Sequence, residues 1–183
     1  MIKLFLTLLV ATLPVLENET AIDWSATRKL TWDDFKGRPD PNLPNAALTN
    51  STINLDYAFT SLEMAFRIRC QFNTDRSWVK TKSEAVLAHE QGHFDITELH
   101  ARKLNKALQG EKIKDNSVTD QVNALQDKIK VEHHAMQRAY DQETDFSRNA
   151  EQQAKWAAKI AAELKAMEKY SDYKGEKKRV FKK

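Results

Sequence analysis

Two neighbouring segments in the first half of the chain alternate apolar and polar residues. In STINLDYAF every second residue from Ile53 onward is apolar, and in LEMAFRIRCQFN the apolar positions from Met64 onward alternate with polar ones. A period of two is typical of half-buried strands, and the short link between the segments predicts an antiparallel hairpin. Cys70 lies on the apolar face of the second segment, so we expect it to be a small buried hydrophobic residue.

The pattern becomes helical after Lys82. Apolar residues three and four positions apart predict helices over residues 83–108, 118–144 and 150–170, with Gly110 as a stop signal after the first. The apolar stripe of the second helix comprises Val118, Val122, Leu125, Ile129, Met136 and Tyr140. Strands followed by helices favour an α+β domain, in which about three helices pack on a small antiparallel sheet.

The N-terminal segment resembles an export signal. Lys3 precedes an apolar run over residues 4–15, which is too short to span a bilayer as a mature helix. The run has the build of a signal-peptide core, so we predict that residues 1–20 form a signal peptide and that the mature protein is periplasmic or secreted. The alternative is a short N-terminal strand or helix packed on the domain. No later segment is apolar enough to span a membrane.

The rest of the chain is predicted to form one domain over residues 21–172. A short strand is expected around residues 29–32, followed by a long surface loop rich in Pro, Asn and Asp. Residues 173–183 are strongly basic and are expected to be a solvated, flexible tail. A weak attraction of this tail to anionic envelope surfaces is the alternative interpretation.

Charge and cysteine content narrow the classes of function. The formal net charge is only +3, and basic residues are interleaved with acidic ones, so nothing indicates a nucleic-acid partner. The single cysteine excludes an intrachain disulfide.

Residues 89–93 read HEQGH and match the HExxH pattern inside the first predicted helix. Positions four apart share a helix face, so His89 and His93 can direct their imidazoles at one zinc ion. Glu90 lies beside that face, where it can act as the general base of a peptidase. The alternative is two surface histidines on an amphipathic helix. His100 lies roughly 10 Å further along the axis and is therefore interpreted as a non-ligand.

A zinc site needs a third protein ligand, and the second predicted helix is its natural source. Extending the apolar stripe by the helical period places Glu143 near the centre of the stripe, which makes it the preferred third ligand. Asp141 points to one side, but it remains an alternative because the helix can distort near its end. His133 also lies near the stripe, where it is either a ligand or a satisfied core histidine.

Several motifs resemble those of one bacterial family of unknown function, whose members are described as predicted secreted zinc-dependent proteases. The motifs run in order over residues 29–164 and read LTWDDFKGRPD, AALT, HEQGHFDI, YDQET and QQAKWAAKI. The resemblance implies zinc binding, a metallopeptidase-like active site and an envelope or extracellular location. Together with the motif it implies a minimal zincin-like arrangement, with HExxH on the first long helix. The chain departs from the pattern at Asp145, Phe146 and Ser147, where related sequences often have an Asn-His-Gly-like stretch.

Two functions follow as hypotheses. The first is a zinc-dependent peptidase of the bacterial cell envelope, in which a zinc-activated water attacks a peptide or protein substrate with Glu90 as base. The substrate would lie beside an edge strand, for which residues 62–72 are the preferred candidate. The second is a non-catalytic, zinc-containing binding or interaction protein, such as a degenerate peptidase. An open coordination position indicates the first, and a closed four-ligand site or no site indicates the second.

Overall fold

A computed structural model describes residues 20–110, 113 and 117–181 of the chain. Apart from residue 20, the predicted signal peptide lies outside the described residues. Thr20 already belongs to the domain, because its carbonyl accepts a hydrogen bond from the Thr74 N–H at 2.8 Å. In the part of the chain that the structure describes, no helix combines the length and the apolar character needed to cross a membrane.

The main sheet is antiparallel and is built around one long strand. The described strands are β1 (Ala21–Asp23), β2 (Ala47–Leu48), β3 (Ser51–Phe59), β4 (Glu63–Asn73), β5 (Trp78–Val79) and β6 (Lys177–Val180). β4 pairs with β3 along one side, while β1 and β6 pair with the two ends of its other side. β2 and β5 form a separate two-stranded ribbon. The predicted hairpin is confirmed, with Ile53 opposite Cys70 and Phe59 opposite Met64.

In the described part of the chain three α-helices complete the α+β fold: α1 (Glu84–Gly110), α2 (Val118–Glu143) and α3 (Ala150–Ala166). The alternating residues on the inner face of β4 are at most 3% exposed and share one core with the apolar residues of α1; they are Met64, Phe66, Ile68, Cys70 and Phe72. The other side of α1 contacts α2 and α3. α1 is therefore the central helix, covered by the sheet on one side and by the helices on the other. The predicted burial of Cys70 is confirmed.

The strand predicted around residues 29–32 does not form. Backbone N–H groups in this segment bind side chains instead: the N–H of Leu30 donates to Gln91 and that of Thr31 donates to Asp34, both at 2.8 Å. A short 3-10 turn, Trp32–Asp34, follows. The segment is thereby attached to α1 through side-chain hydrogen bonds, which the local sequence pattern does not reveal.

The C-terminal segment is not the flexible tail that its composition predicts. Tyr173 is 1% exposed, and its hydroxyl donates to the buried carboxylate of Glu98 on α1. β6 then pairs with the start of β4, and Arg179 donates to the carbonyl of Leu108 at 2.5 Å. Within β6 the half-buried positions are the basic residues Lys177 and Arg179, while Lys178 and Val180 are exposed. The described domain therefore continues past residue 172 to residue 181.

Candidate metal centre

Three side chains from two helices converge at one point. His89 and His93 come from α1, and Asp141 comes from α2. The Nε2 atoms of His89 and His93 lie 3.1 Å from each other. Oδ1 of Asp141 lies 3.1 Å from Nε2 of His89 and 2.9 Å from Nε2 of His93. The three atoms form a nearly equilateral triangle. This group could hold a metal ion.

Helix geometry explains why these residues meet. His89 and His93 are four positions apart and so share one face of α1. On α2 a matching ridge of residues four positions apart, His133, Gln137 and Asp141, lies against that face in antiparallel order. Its last member is the one that reaches both motif histidines.

Glu143, the preferred third ligand from the sequence, is not part of this group. Its Oε2 accepts a hydrogen bond of 2.8 Å from the indole N–H of Trp156 on α3. The apolar stripe of α2 leads through Tyr140 to a buried cluster with Ile96, Trp156 and Ile160, so it faces the seam with α3 at this end. Continuing the stripe therefore leads to α3, and the prediction is corrected from Glu143 to its alternative, Asp141.

Glu90 lies beside the triangle and faces the same cleft. It is 4% exposed, and its Oε2 has no hydrogen-bond partner in the part of the chain that the structure describes. Buried carboxylate oxygens are almost always hydrogen-bonded, so an unpartnered one needs an explanation such as a catalytic role or a bound ion or water. Glu90 therefore lines the same cleft as the two histidines with one carboxylate oxygen unpaired among the described residues.

The electrostatic balance of the site favours positive charge. Burial by itself would raise the pKa of Asp141, but hydrogen bonds with His89 and His93 outweigh it and hold that pKa far below its usual range. Burial likewise opposes the charged form of His93, yet the hydrogen bond to Asp141 and the negative charges of Glu90 and Asp141 raise its pKa. A cation placed between these groups would satisfy the same balance.

The triangle lies in a cleft of about 280 Å³. It is lined by residues 45–51, by Val86 and the motif residues of α1, by the His133, Gln137 and Asp141 ridge of α2 together with His134, and by residues 146–147. A second groove of about 440 Å³ continues between β3 and α2 and shares Ser51, His133 and His134 with the first. The two spaces are adjacent along the start of β3, and together they are called the channel below.

The segment that departs from the resembling pattern borders this cleft. Asp145, Phe146 and Ser147 have φ angles of 48°, 52° and 75°. Left-handed backbone costs non-glycine residues roughly 1–2 kcal/mol each, and such strain tends to persist at functional sites. Phe146 is also one of the exposed large hydrophobic residues. The strained turn thus holds an aromatic ring at the rim of the candidate site.

His133 and His100 lie near the group without joining it. His133, a considered ligand, lies 3.0 Å from both the Thr97 hydroxyl and the amide nitrogen of Gln137. Burial and the neighbouring histidines lower its pKa to about 3, so it is neutral. His100 lies outside the group, and its Nδ1 donates to the carbonyl of Ile96 at 2.8 Å.

Burial of neutral His100 predicts a pH-dependent stability. Burial lowers the pKa of His100 to about 4. The Ile96 carbonyl and the charge of Glu132 act in the opposite direction, and the charge of Lys103 adds to the lowering. The ring of neutral His133 contacts the ring of His100. In the unfolded chain a histidine has a pKa of about 6.5, so below that pH the unfolded chain binds more protons than the folded one. The free energy of unfolding should therefore fall between about pH 6.5 and pH 4, by up to roughly 1.4 kcal/mol per pH unit from this group.

The test is urea unfolding between pH 7 and pH 5 of metal-free wild type and of His100→Asn. Asn retains a donor near the position of Nδ1 but does not titrate. The free energy of unfolding of the variant should therefore fall less between pH 7 and pH 5 than that of wild type, whatever its stability at pH 7. An unchanged difference between pH 7 and pH 5 would show that His100 is not buried in its neutral form. Chelator is needed throughout, because acid also releases metal from histidine ligands.

Sequence reasoning missed the groups that surround the histidines. Gln137 contacts His93, Gln153 contacts His89, and Tyr140 stacks on the His89 ring with centroids 4.5 Å apart. Gln137 could have been found, because it lies on the same four-residue ridge as Asp141. Gln153 could not, because its role depends on where α3 packs.

Comparison with known proteins adds a family but no characterised relative. Residues 9–149 match the family described as bacterial protein of unknown function (DUF922). Neither a curated protein nor a solved structure gives a significant match to the chain.

Proposed function

The chain belongs to the DUF922 family of bacterial proteins of unknown function, and from that premise we propose that it is a zinc-dependent peptidase of the bacterial cell envelope. One observation carries the proposal. Donor atoms of His89, His93 and Asp141 converge within 3.1 Å, beside the buried Glu90 carboxylate. Export is part of the proposal and rests on the apolar run of residues 4–15.

The donor set fits zinc. Two imidazole nitrogens and one carboxylate oxygen are a ligand set of catalytic zinc sites, which leave the fourth position open. Ligand atoms of a tetrahedral zinc ion lie roughly 3.3 Å apart, close to the 2.9–3.1 Å spacing of the three atoms here. When bound, zinc supplies a Lewis acid that polarises a carbonyl and acidifies a water molecule.

Glu90 provides the proton transfers of the proposed reaction. Its unpartnered Oε2 can accept a proton from the water that attacks the scissile carbonyl. The same atom can then deliver that proton to the nitrogen of the leaving amine, so one carboxylate serves both steps.

The substrate is proposed to be an extended peptide that follows the channel. The predicted docking strand over residues 62–72 is unsuitable, because β4 pairs with strands on both of its sides. β3 pairs with no second strand among the described residues, and Ser51 at its start lines both spaces of the channel. A peptide can therefore add to the free edge of β3 by main-chain hydrogen bonds and pass the triangle.

Zinc affinity of ligand variants tests the site. Asp141→Ala should weaken zinc binding by more than about a hundredfold, because loss of a ligand should cost at least as much as loss of an outer hydrogen-bond partner. Glu143→Ala should bind zinc like wild type, since Glu143 contacts Trp156 on α3. Competition with a chromogenic chelator measures all three proteins.

The outcomes separate the hypotheses. Wild-type affinity in Asp141→Ala would exclude Asp141 as the ligand, and loss in Glu143→Ala would restore the sequence prediction. Absence of zinc binding in wild type, or a closed four-ligand site, would favour the non-catalytic binding protein.

A further inference from the structure

Each motif histidine directs its Nδ1 at the side chain of a glutamine. Gln137 Oε1 contacts Nδ1 of His93, and Gln153 Oε1 lies 3.1 Å from Nδ1 of His89. The first glutamine comes from α2 and the second from α3. The contacts leave both Nε2 atoms facing Asp141. Neutral histidine carries its proton on only one nitrogen, so the environment of Nδ1 decides what Nε2 can do.

Surrounding atoms fix the amide orientation of Gln137. Its Nε2 donates to the backbone carbonyl of His93 at 2.9 Å, and a carbonyl can only accept. The same NH₂ group lies 3.3 Å from the Thr97 hydroxyl and 3.0 Å from Nε2 of His133, and either atom can accept its second proton. The amide oxygen must then be the atom that faces Nδ1 of His93. Because that oxygen has no proton, Nδ1 of His93 must donate.

Two acceptors likewise face Nδ1 of His89. The Tyr140 hydroxyl donates its only proton to the His89 carbonyl at 3.3 Å, so it can only accept from Gln153. Gln153 Nε2 is the donor to this hydroxyl, and the amide oxygen of Gln153 therefore faces Nδ1 of His89. The hydroxyl of Thr144 donates its only proton to the Tyr140 carbonyl at 2.6 Å. It therefore offers a lone pair to Nδ1 of His89, 3.5 Å away. Nδ1 is again the donor.

We propose that Gln137 and Gln153 are positioning residues that hold both histidines in the Nδ1–H tautomer. Hydrogen bonds from Nε2 to Asp141 then form only when a ring gains a second proton. While both rings are neutral, both Nε2 lone pairs point at Oδ1 of Asp141, and three acceptors meet with no donor among them. Such a centre is repulsive until a cation occupies it. The inference rests on the proposed metal site and deepens it: the ligands are prepared for an ion before one binds.

Nitrogen-15 NMR of the full chain tests the tautomers without activity or metal. Histidine-labelled, chelator-treated protein is examined at about pH 9, well above the usual histidine pKa of about 6.5. Long-range proton–nitrogen correlations should show Nδ1–H for both histidines in wild type. Gln137→Leu should convert only His93 to a tautomer mixture, and Gln153→Leu only His89, so each variant controls for the other. Gln137→Glu, which retains an acceptor oxygen, should keep Nδ1–H on His93.

Further controls separate positioning from folding. Gln152→Leu, one residue earlier on α3, should leave both tautomers unchanged. His100, whose Nδ1 donates to the Ile96 carbonyl, should keep its own signals in every folded variant. Zinc affinity of the two Leu variants should fall by about 10- to 100-fold.

Three results are decisive. Nε2–H tautomers in wild type would overturn the inference, as would unchanged tautomers in both folded Leu variants. The predicted tautomers in a protein that binds no zinc would support the inference while overturning the proposed peptidase.

Discussion

Replacing Glu90 by Gln is expected to lower peptide hydrolysis by about a hundredfold or more while zinc stays bound. Gln has nearly the shape of Glu but cannot take a proton from water. Glu90 is not among the three converging residues, so their geometry should persist. The measurement is cleavage of casein or a peptide library by zinc-loaded protein, with zinc content from elemental analysis of the same samples.

Glu84→Gln is the matched control, because it makes the same chemical change at an exposed position of the same helix. It should retain wild-type activity and zinc content. Retained hydrolysis in Glu90→Gln would exclude Glu90 as the base. Loss of zinc together with activity would mean that Glu90 holds the ion instead of moving a proton.

The spacing of apolar residues was sufficient to predict the strands and helices that are amphipathic along their whole length. The hairpin follows from alternation in β3 and β4, because one face of each strand lies on the core formed with α1. The three helices follow for the same reason, and their boundaries differ mainly at the end of the third. There the α-helix stops at Ala166, and a 3-10 turn, Glu168–Tyr170, replaces its last turn.

Elements fixed by distant partners could not be predicted in this way. The C-terminal segment is polar by composition, yet Tyr173 binds Glu98 on α1 and β6 completes the sheet. Nothing local to that segment encodes either partner. Residues 29–32 have a strand-like sequence, but a side chain of α1 takes the N–H of Leu30. In both cases tertiary contacts outweigh local preference.

The same distinction applies within the candidate site. His89, Glu90 and His93 are predictable, because one turn of helix sets their relation. Asp141 and Glu143 are two residues apart and so face opposite directions, and the choice between them depends on which neighbour lies on each side of α2. α1 lies on one side and Trp156 of α3 on the other. A hydrophobic stripe marks burial but does not identify the buried partner.

Gly92 shows how closely α1 and α2 approach at the motif. A Cβ atom on Gly92 would lie 2.3 Å from the hydroxyl oxygen of Tyr140 and 2.7 Å and 2.9 Å from two of its ring carbons. Tyr140 is fully buried and stacks on His89, so its ring has little room to move. The glycine is therefore explained by its close packing against Tyr140 of α2.

Gly92→Ala is therefore expected to destabilise the protein by about 1–3 kcal/mol, although alanine in an open helix would gain up to about 1 kcal/mol. It should also weaken zinc binding, because displacement of Tyr140 disturbs the ring of His89. Urea unfolding and chelator competition measure the two effects. Gly110→Ala is the matched control: among the described residues no atom lies within 4 Å of its added Cβ, so little change is expected. Combining Gly92→Ala with Tyr140→Leu should cost less than the sum of the single changes, because the smaller side chain removes the clash. Wild-type stability in Gly92→Ala, or strict additivity in the double variant, would show that Tyr140 is free to move and does not hold His89 in place.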